Sequence, residues 1–160
     1  MTLFETTMLS KAGMSETDEF AKAALARANI FGMTQDAEDA VLRPKESGAF
    51  GHDLRAALAA RIAHQAEDET LADHYFMDAG QYAVLANPNQ SGEAQGLNTL
   101  LSFVDKVANQ TRDTATEDVS SLQNAGVSDA DIVRLCELVA FMAFQVRVIA
   151  GLRLMQNIAA

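Results

Sequence analysis

The residues best suited to chemistry lie around a break between two predicted helices. This polar cluster comprises Arg61, His64, Glu67, Asp68, Glu69, Asp73, His74 and Tyr75. If the helix continued through the break, Arg61, His64 and Asp68 would share a face, because residues three and four apart are neighbours on a helix. Such imidazole and carboxylate groups can exchange protons with a small organic acid, or hold a metal ion if ligands from a second element converge. The alternative interpretation is a solvated helix end with ordinary caps and surface ion pairs.

Cys136 is the only cysteine in the chain and therefore the only candidate for thiol chemistry. A reactive thiol needs partial exposure and a neighbouring positive charge that lowers its pKa. Arg134 lies two residues away and should point elsewhere, whereas the charge of Glu137 opposes thiolate formation. We expect a structural cysteine, because free cysteines are among the most buried residue types.

Motifs for common cofactors are absent from the sequence. It contains no glycine-rich phosphate loop and no CxxC, HExxH or GxSxG motif, so it predicts neither a cofactor nor a metal. The net charge of −10 disfavours nucleic acid and anionic membranes as partners, since both bind clustered lysine and arginine. A single cysteine suits a reducing cytosol, and the N-terminal residues lack the basic start and apolar core of a signal peptide. We therefore expect a cytoplasmic protein.

The elements that must position these residues are predicted to be helices. The 160 residues are enough for one domain with its own core, and no segment alternates apolar and polar residues for long, which argues against a sheet. Apolar spacing, caps and breakers predict helices over 14–31, 34–42, 53–65, 70–85, 97–109, 114–124 and 128–155. The expected architecture is an all-α single domain, in which residues 1–45 form an N-terminal arm and helices and residues 46–160 form the core.

Two capping patterns predict where the last two helices begin. Ser128 with Asp131 and Thr114 with Glu117 have the spacing of a capping box, in which side chains satisfy the first free N–H groups of a helix.

The last predicted helix, 128–155, is the most apolar. Past its first turn, apolar residues fall on every face, which is typical of a helix surrounded by other helices or by lipid. A membrane span needs roughly 20 apolar residues with few charges. Four charged residues interrupt this segment: Arg134, Glu137, Arg147 and Arg153. We therefore predict the central helix of a soluble domain, with a subunit interface as an additional role, and we expect Arg147 to bind a carboxylate or the carbonyls of another element.

The order of these segments resembles the alkylhydroperoxidase D (AhpD) and carboxymuconolactone decarboxylase (CMD) superfamily. The helix LRAALAARIA, a break and LADHY resemble its core, and LLSFVDKVA, TEDVSSLQNAGVSDADIVRL and VAFMAFQVRVIAGL look like its following helices. The similarity covers about Ala49 to Leu154, and its better matches are LQNAGVSDADIV and Arg147. The N-terminal part looks most like a cysteine-less branch described as CMD domain proteins. The resemblance implies an AhpD-like helical bundle that assembles as dimers, trimers or hexamers.

The activity implied by the resemblance is peroxide reduction or, in one branch, lactone decarboxylation. Peroxide reduction needs an attacking thiolate, a resolving thiol and a Glu–His proton relay. The family's motif positions fall on Asp68 and Leu71 for the two cysteines, Ala56 for the relay glutamate, and Tyr75, next to His74, for the histidine. Residues 1–135 contain no cysteine, so the resemblance implies a protein without the peroxidase dithiol. Arg61, which the family also tends to carry, is retained.

Four functions stay open at the level of the sequence. The first is a non-catalytic homologue or partner subunit of a peroxidase-related protein, and the second is a cysteine-independent decarboxylase-type enzyme that acts on a small organic acid. The acid–base groups of that enzyme would be His64, Asp68, His74 and Tyr75, and its substrate-binding residues would be Arg61 and Arg147. The third is a ligand-binding or scaffold homo-oligomer without chemistry, and the fourth is a residual peroxidase that uses Cys136.

Overall fold

Every regular element in residues 2–159 is helical, which confirms the predicted all-α class. The structure, a computed structural model, describes the backbone of residues 2–159 and the side chains of residues 2–156, and no strand occurs in that range. The α-helices are α1 (Thr7–Lys11), α2 (Ala21–Leu25), α3 (Ala28–Leu42), α4 (His52–Gln65), α5 (Glu69–Phe76), α6 (Asn98–Asn109), α7 (Thr116–Asn124) and α8 (Asp129–Ala159). Short 3-10 helices lie between some of them, of which Gly80–Ala86 is the longest.

Helix α4 is the most deeply buried element. All of its residues from Leu54 to Ala63 are buried, and many are alanines, whose small side chains let α5, α6, α8 and the 3-10 helix approach closely. Arg55 is buried on this helix because its guanidinium donates to the backbone carbonyls of Val41, Ser47 and Phe50. These three bonds fix the connection between α3 and α4, since a buried charge is tolerated only when its donors are satisfied.

Helix α8 buries one face and leaves the other exposed. The buried face comprises Ile132, Leu135, Leu138, Val139, Phe141, Met142, Gln145 and Ile149. On the opposite face, Val133, Phe144, Leu154 and Met155 are between 44% and 60% exposed. Helix α8 contacts α1, α3, α4, α6 and α7, as expected of a central helix, but the prediction that it is surrounded on every face is wrong.

The length and composition of α8 would also allow it to cross a membrane. Over Asp129–Gln156 it is long and apolar enough to do so, with 33% of its most apolar window buried in the fold. This is a weak indication, because the core helix of a soluble protein passes the same test. Nothing in the described fold conflicts with a soluble protein.

The N-terminal residues pack against the core instead of forming a free arm. Met8 and Leu9 of α1 are buried, and α1 contacts both α3 and α8. The prediction of one helix over 14–31 that ends at Gly32 is wrong. This part of the chain contains the short α2, and α3 runs from Ala28 through Gly32 to Leu42. Glycine inside a helix costs only about 1 kcal/mol relative to alanine, which does not end a helix whose Gln35, Glu38 and Leu42 are buried.

The predicted helix 70–85 is divided in two. Helix α5 ends at Phe76, and the chain continues into the 3-10 helix at Gly80, whose φ of +50° lies in the left-handed region. A side chain is strained in that conformation, so glycine separates the two elements here.

Candidate functional site

Asp68 lies at the break between α4 and α5, where it holds three segments together. Its carboxylate accepts a hydrogen bond from the backbone N–H of Leu71 at 3.1 Å, which caps α5. The guanidinium of Arg153 on α8 donates to both carboxylate oxygens at 2.9 and 3.0 Å, and it also donates to the backbone carbonyl of Lys11 at 2.7 Å. Asp68 is 5% exposed. Both of its oxygens are engaged in structural bonds, so the structure does not present this carboxylate to a substrate.

Two further positions of the family motif hold apolar core residues. Leu71 is fully buried, and Ala56 is 4% exposed within α4. Neither side chain can attack a peroxide or move a proton, so these positions of the chain carry no redox centre and no relay.

Tyr75 belongs to a buried chain of hydrogen bonds that the sequence analysis missed. Its hydroxyl donates to Oε1 of Gln145 at 2.7 Å, and Nε2 of Gln145 donates to Oε2 of Glu38 at 2.7 Å. The other oxygen of Glu38 accepts from the hydroxyl of Thr7 at 2.8 Å. None of the four side chains is more than 6% exposed. This Tyr75–Gln145–Glu38–Thr7 network therefore ties α5, α8, α3 and α1 together.

Burial determines the protonation of this network. Desolvation raises the pKa of Glu38, although hydrogen bonds from Thr7 and Gln145 oppose the rise. Burial, followed by the charge of Glu38, raises the pKa of Tyr75, so the phenol keeps its proton and remains a donor. Donors and acceptors alternate along the network, and a fully satisfied buried network stabilises one packing arrangement. Its geometry indicates a structural role.

The two candidate histidines lie in separate surface depressions. His74 is half-buried in a depression that it shares with Lys11. Burial, and then the positive charge of Lys11, lower the pKa of His74, which favours the neutral imidazole. His64 lines a different depression, beside Pro88, and its Nδ1 lies 3.0 Å from the exposed carboxylate of Glu69.

The structure therefore does not bring the four predicted acid–base residues to one cavity. His64 and His74 face different depressions, whereas the side chains of Asp68 and Tyr75 are buried in structural contacts. Helix α4 ends at Gln65, and two residues later Glu67 adopts a positive φ of 59°. Arg61, His64 and Asp68 therefore do not share the face of one continuous helix. In the part of the chain that the structure describes, no group of three or more His, Cys, Asp or Glu residues is placed to hold a metal ion.

Arg61 is an anchor whose donors are all occupied. Its Nε and Nη2 donate to the two carboxylate oxygens of Asp105, each at 2.7 Å. The remaining N–H groups donate to the backbone carbonyls of Leu85, Asn87 and Pro88 at 2.8 to 3.1 Å. A guanidinium has five N–H donors, and none is left over here. Arg61 thus fixes the loop after the 3-10 helix onto α4 and α6, and the expectation of a substrate-binding role is corrected.

Arg147 and Cys136 on α8 also lie apart from any shared site. Arg147 is exposed, and its Nη1 donates to the carbonyl of Ala143 in its own helix at 2.6 Å. The expected pairing with a carboxylate or with another element is therefore wrong. Cys136 is half-buried, and burial, followed by the charge of Glu137, raises the pKa of its thiol. A protonated thiol is a poor nucleophile.

An apolar cavity of about 300 Å³ lies between the N-terminal helices and α8. It is lined by Met8, Met14, Phe20, Ala23, Ala24, Arg27, Ile30, Phe31, Thr34, Phe144, Val148, Leu152 and Met155. The hydroxyl of Thr34 donates to the carbonyl of Ile30 at 2.8 Å, and Arg27 is exposed and makes no ion pair within the described residues. The sequence does not reveal this cavity, because its wall combines residues 8–34 with residues 144–155 of α8, which are distant in the chain.

No protein-family model matches this chain, and neither a curated protein nor a solved structure matches it. The function must therefore be argued from the geometry of these sites.

Proposed function

We propose that this protein is a small-molecule-binding protein without thiol peroxidase activity. The observation that carries the proposal is the apolar cavity of about 300 Å³ between the N-terminal helices and α8. Ligand pockets usually span about 300–1,000 Å³ and combine mainly hydrophobic walls with a few polar groups. Flexible methionine side chains, here Met8, Met14 and Met155, can adapt such a wall to the shape of a ligand.

The thiol chemistry of the AhpD family has no counterpart among the residues that would perform it. Asp68 and Leu71 cannot attack an O–O bond, and the thiol of Cys136 is disfavoured as a thiolate by burial. Incubation with an organic hydroperoxide and either dithiothreitol or a lipoyl carrier should therefore give no turnover above the rate without protein. Turnover that Cys136→Ser abolishes would instead establish a peroxidase.

In this proposal the protein is a non-peroxidatic AhpD/CMD-like homologue that acts in the cytoplasm as a homo-oligomer or beside a peroxidase-related partner. The order of helical segments supports the relationship, and exposed apolar residues of α2, α3 and α8 support association. Leu25, Met33 and Leu154, which lie outside the cavity wall, are at least 55% exposed, and such surfaces are typical of interfaces. Native mass spectrometry separates the two forms of assembly: a homo-oligomer in the purified protein argues against a required partner, and a monomer that recruits a CxxC-bearing homologue from its host argues for one.

The binding proposal is tested with the neutral fluorescent probe N-phenyl-1-naphthylamine. Val148 is half-buried in the cavity wall on α8, so Val148→Phe should fill the cavity and abolish saturable binding. The control is Met77→Gln, because Met77 is an apolar residue outside the cavity with 81% exposure. Wild type and Met77→Gln should bind one probe per chain. Equal binding by a folded Val148→Phe variant, checked by circular dichroism, would place the probe elsewhere and remove the proposal.

The decarboxylase-type alternative now depends on the two histidines, which lie in separate depressions. A small organic acid would have to bind in the depression that His74 shares with Lys11 or in the one that His64 lines. If neither His74→Ala nor His64→Ala changes the affinity for such acids, this alternative loses its remaining candidate bases.

A further inference from the structure

We propose that the cavity between the N-terminal helices and α8 binds a single-chain carboxylate, of the medium-chain fatty acid class, with its head group on Arg27. This rests on the proposed function, because it names the ligand class of that same cavity. Three observations carry it: the composition of the wall, the free guanidinium at the wall, and the size of the space.

The wall specifies a ligand with one polar end. Apart from Arg27 and Thr34, every lining residue is apolar. The hydroxyl hydrogen of Thr34 is already donated to the carbonyl of Ile30. A ligand with polar groups spread along its length would leave them without hydrogen-bond partners against this wall, which is unfavourable for each buried group. An alkyl chain with a single head group avoids that cost.

The chemistry of Arg27 specifies the charge of the head group. A guanidinium offers N–H donors and no acceptor, and it stays positively charged in proteins. Its planar fork matches the two oxygens of a carboxylate. Arg27 has no carboxylate of this chain within ion-pair distance among the described residues, unlike Arg61 and Arg153, whose guanidinium groups are already paired. A ligand carboxylate would supply the missing partner.

The size of the space specifies a single chain. About 300 Å³ lies at the lower limit of small-molecule pockets, which is too small for a phospholipid with two acyl chains or for a docked helix. The wall is also open on one side, where Ile30, Phe144 and Met155 are 44% to 50% exposed, so a chain can enter from the surface. A fatty acid of medium length fits both features.

The net charge of the protein helps to distinguish a specific carboxylate site from non-specific binding. With a net charge of −10, non-specific electrostatic attraction favours cations and disfavours anions. A hydrophobic surface without a specific head-group site would therefore bind a cationic amphiphile at least as well as an anionic one. A preference for the carboxylate has to come from a local positive group, and Arg27 is that group in the cavity wall.

The test compares decanoate, decanol and decyltrimethylammonium below their micelle concentrations by isothermal titration calorimetry. The wild type should prefer decanoate, and Arg27→Ala should weaken decanoate roughly two- to fivefold, the range for a partly exposed ion pair, while leaving decanol unchanged. Arg27→Glu should reverse the preference in favour of the ammonium. Lys22→Ala is the matched control, because it removes an exposed positive charge from α2 outside the cavity and should change none of the three affinities.

The outcomes separate this inference from the proposed function. If all three amphiphiles bind equally, lose affinity in Val148→Phe and ignore Arg27→Ala, the cavity is a site for neutral apolar ligands and the carboxylate assignment is overturned. If Lys22→Ala and Arg27→Ala weaken decanoate equally, the preference is a general charge effect and the assignment is also overturned. If none of the amphiphiles nor the neutral probe binds, the proposed function itself fails. Since Arg27 is exposed, its substitution does not put the fold at risk.

Discussion

Replacement of Tyr75 by phenylalanine removes one hydroxyl from the interior and tests the buried network directly. In the wild type that hydroxyl donates to Oε1 of Gln145 at 2.7 Å, and the two residues are 1% and 0% exposed. Gln145 cannot rotate to compensate, because its Nε2 donates to Glu38. The variant therefore leaves a buried acceptor without a donor.

The expected loss of stability follows from that unpaired acceptor. A buried polar group that loses its partner costs about 1–3 kcal/mol. For a protein of 150–250 residues, each kcal/mol lowers Tm by about 2–4 °C. Tyr75→Phe should therefore lower Tm by roughly 2–12 °C. Urea unfolding should show a lower midpoint with an unchanged slope, because the surface exposed on unfolding stays the same.

The second of the two tyrosines provides the matched control. Tyr82 is half-buried, and its hydroxyl makes no hydrogen bond to the described residues, so Tyr82→Phe should change stability by less than about 0.5 kcal/mol. If the two variants were equally stable, the hydroxyl of Tyr75 would not be paired in solution and the network would be refuted.

Three further predictions concern the other buried groups. Arg61→Lys keeps the charge but cannot reach Asp105 and three carbonyls at once, so the free energy of unfolding should fall by about 1.5–3 kcal/mol, the range for bonds to charged groups; an unchanged urea midpoint would contradict the anchor. Because burial raises the pKa of Glu38 above 4.5, its contribution to stability should be complete below that pH and be lost as the pH rises through the folded-state pKa. Glu38→Gln should flatten this pH dependence in urea titrations. Cys136 should react with a thiol reagent more slowly at neutral pH in the native protein than in urea, and equal rates would refute its burial.

The sequence was sufficient to predict a contact where both of its partners are close in the chain. The predicted cap at Ser128 is confirmed: the N–H of Asp131 donates to Oγ of Ser128 at 3.2 Å, and α8 begins at Asp129. The carboxylate of Asp131 accepts from the hydroxyl of Ser128 and not from its backbone N–H, so the capping box is only half formed. Spacing alone determines such a bond. The all-α class follows for the same reason, since alanine-rich segments with caps and breakers form helices in almost any packing arrangement.

The capping box predicted for Thr114 and Glu117 is wrong, because a residue that is distant in the chain favours a different cap. Helix α7 begins at Thr116, and the carboxylate of Asp118 accepts from the backbone N–H of Ala115 at 2.7 Å. Lys106 on α6 donates to the same carboxylate at 2.7 and 2.9 Å, which favours Asp118 over the predicted Glu117. The hydroxyl of Thr114, the predicted cap, is buried and makes no hydrogen bond to the described residues. No local sequence pattern reveals the lysine on α6 whose contact with Asp118 favours this start of α7.

The structural role of the candidate site residues could not be predicted from the sequence, because their partners are also distant in the chain. Asp68 and Tyr75 were recognised as chemically unusual, but their partners Arg153 and Gln145 lie 85 and 70 residues away. A carboxylate that faces solvent and one that is paired across the fold look identical in sequence. One signal was available: Gln145 is polar within the apolar stretch FMAFQVRV, and a buried amide requires partners.

Helix α1 connects the polar contacts of the candidate site to the apolar cavity. Thr7 is the last member of the Tyr75 network, Met8 lines the cavity, and the carbonyl of Lys11 accepts the guanidinium that also binds Asp68. A helix of five residues is too short to be stable alone, so these contacts must hold it against α8. Loss of the Tyr75 hydroxyl should therefore loosen the wall at Met8 and weaken probe binding in the cavity, although Tyr75 does not line it. The residues that first suggested catalysis then serve the binding site by fixing the helix that closes it.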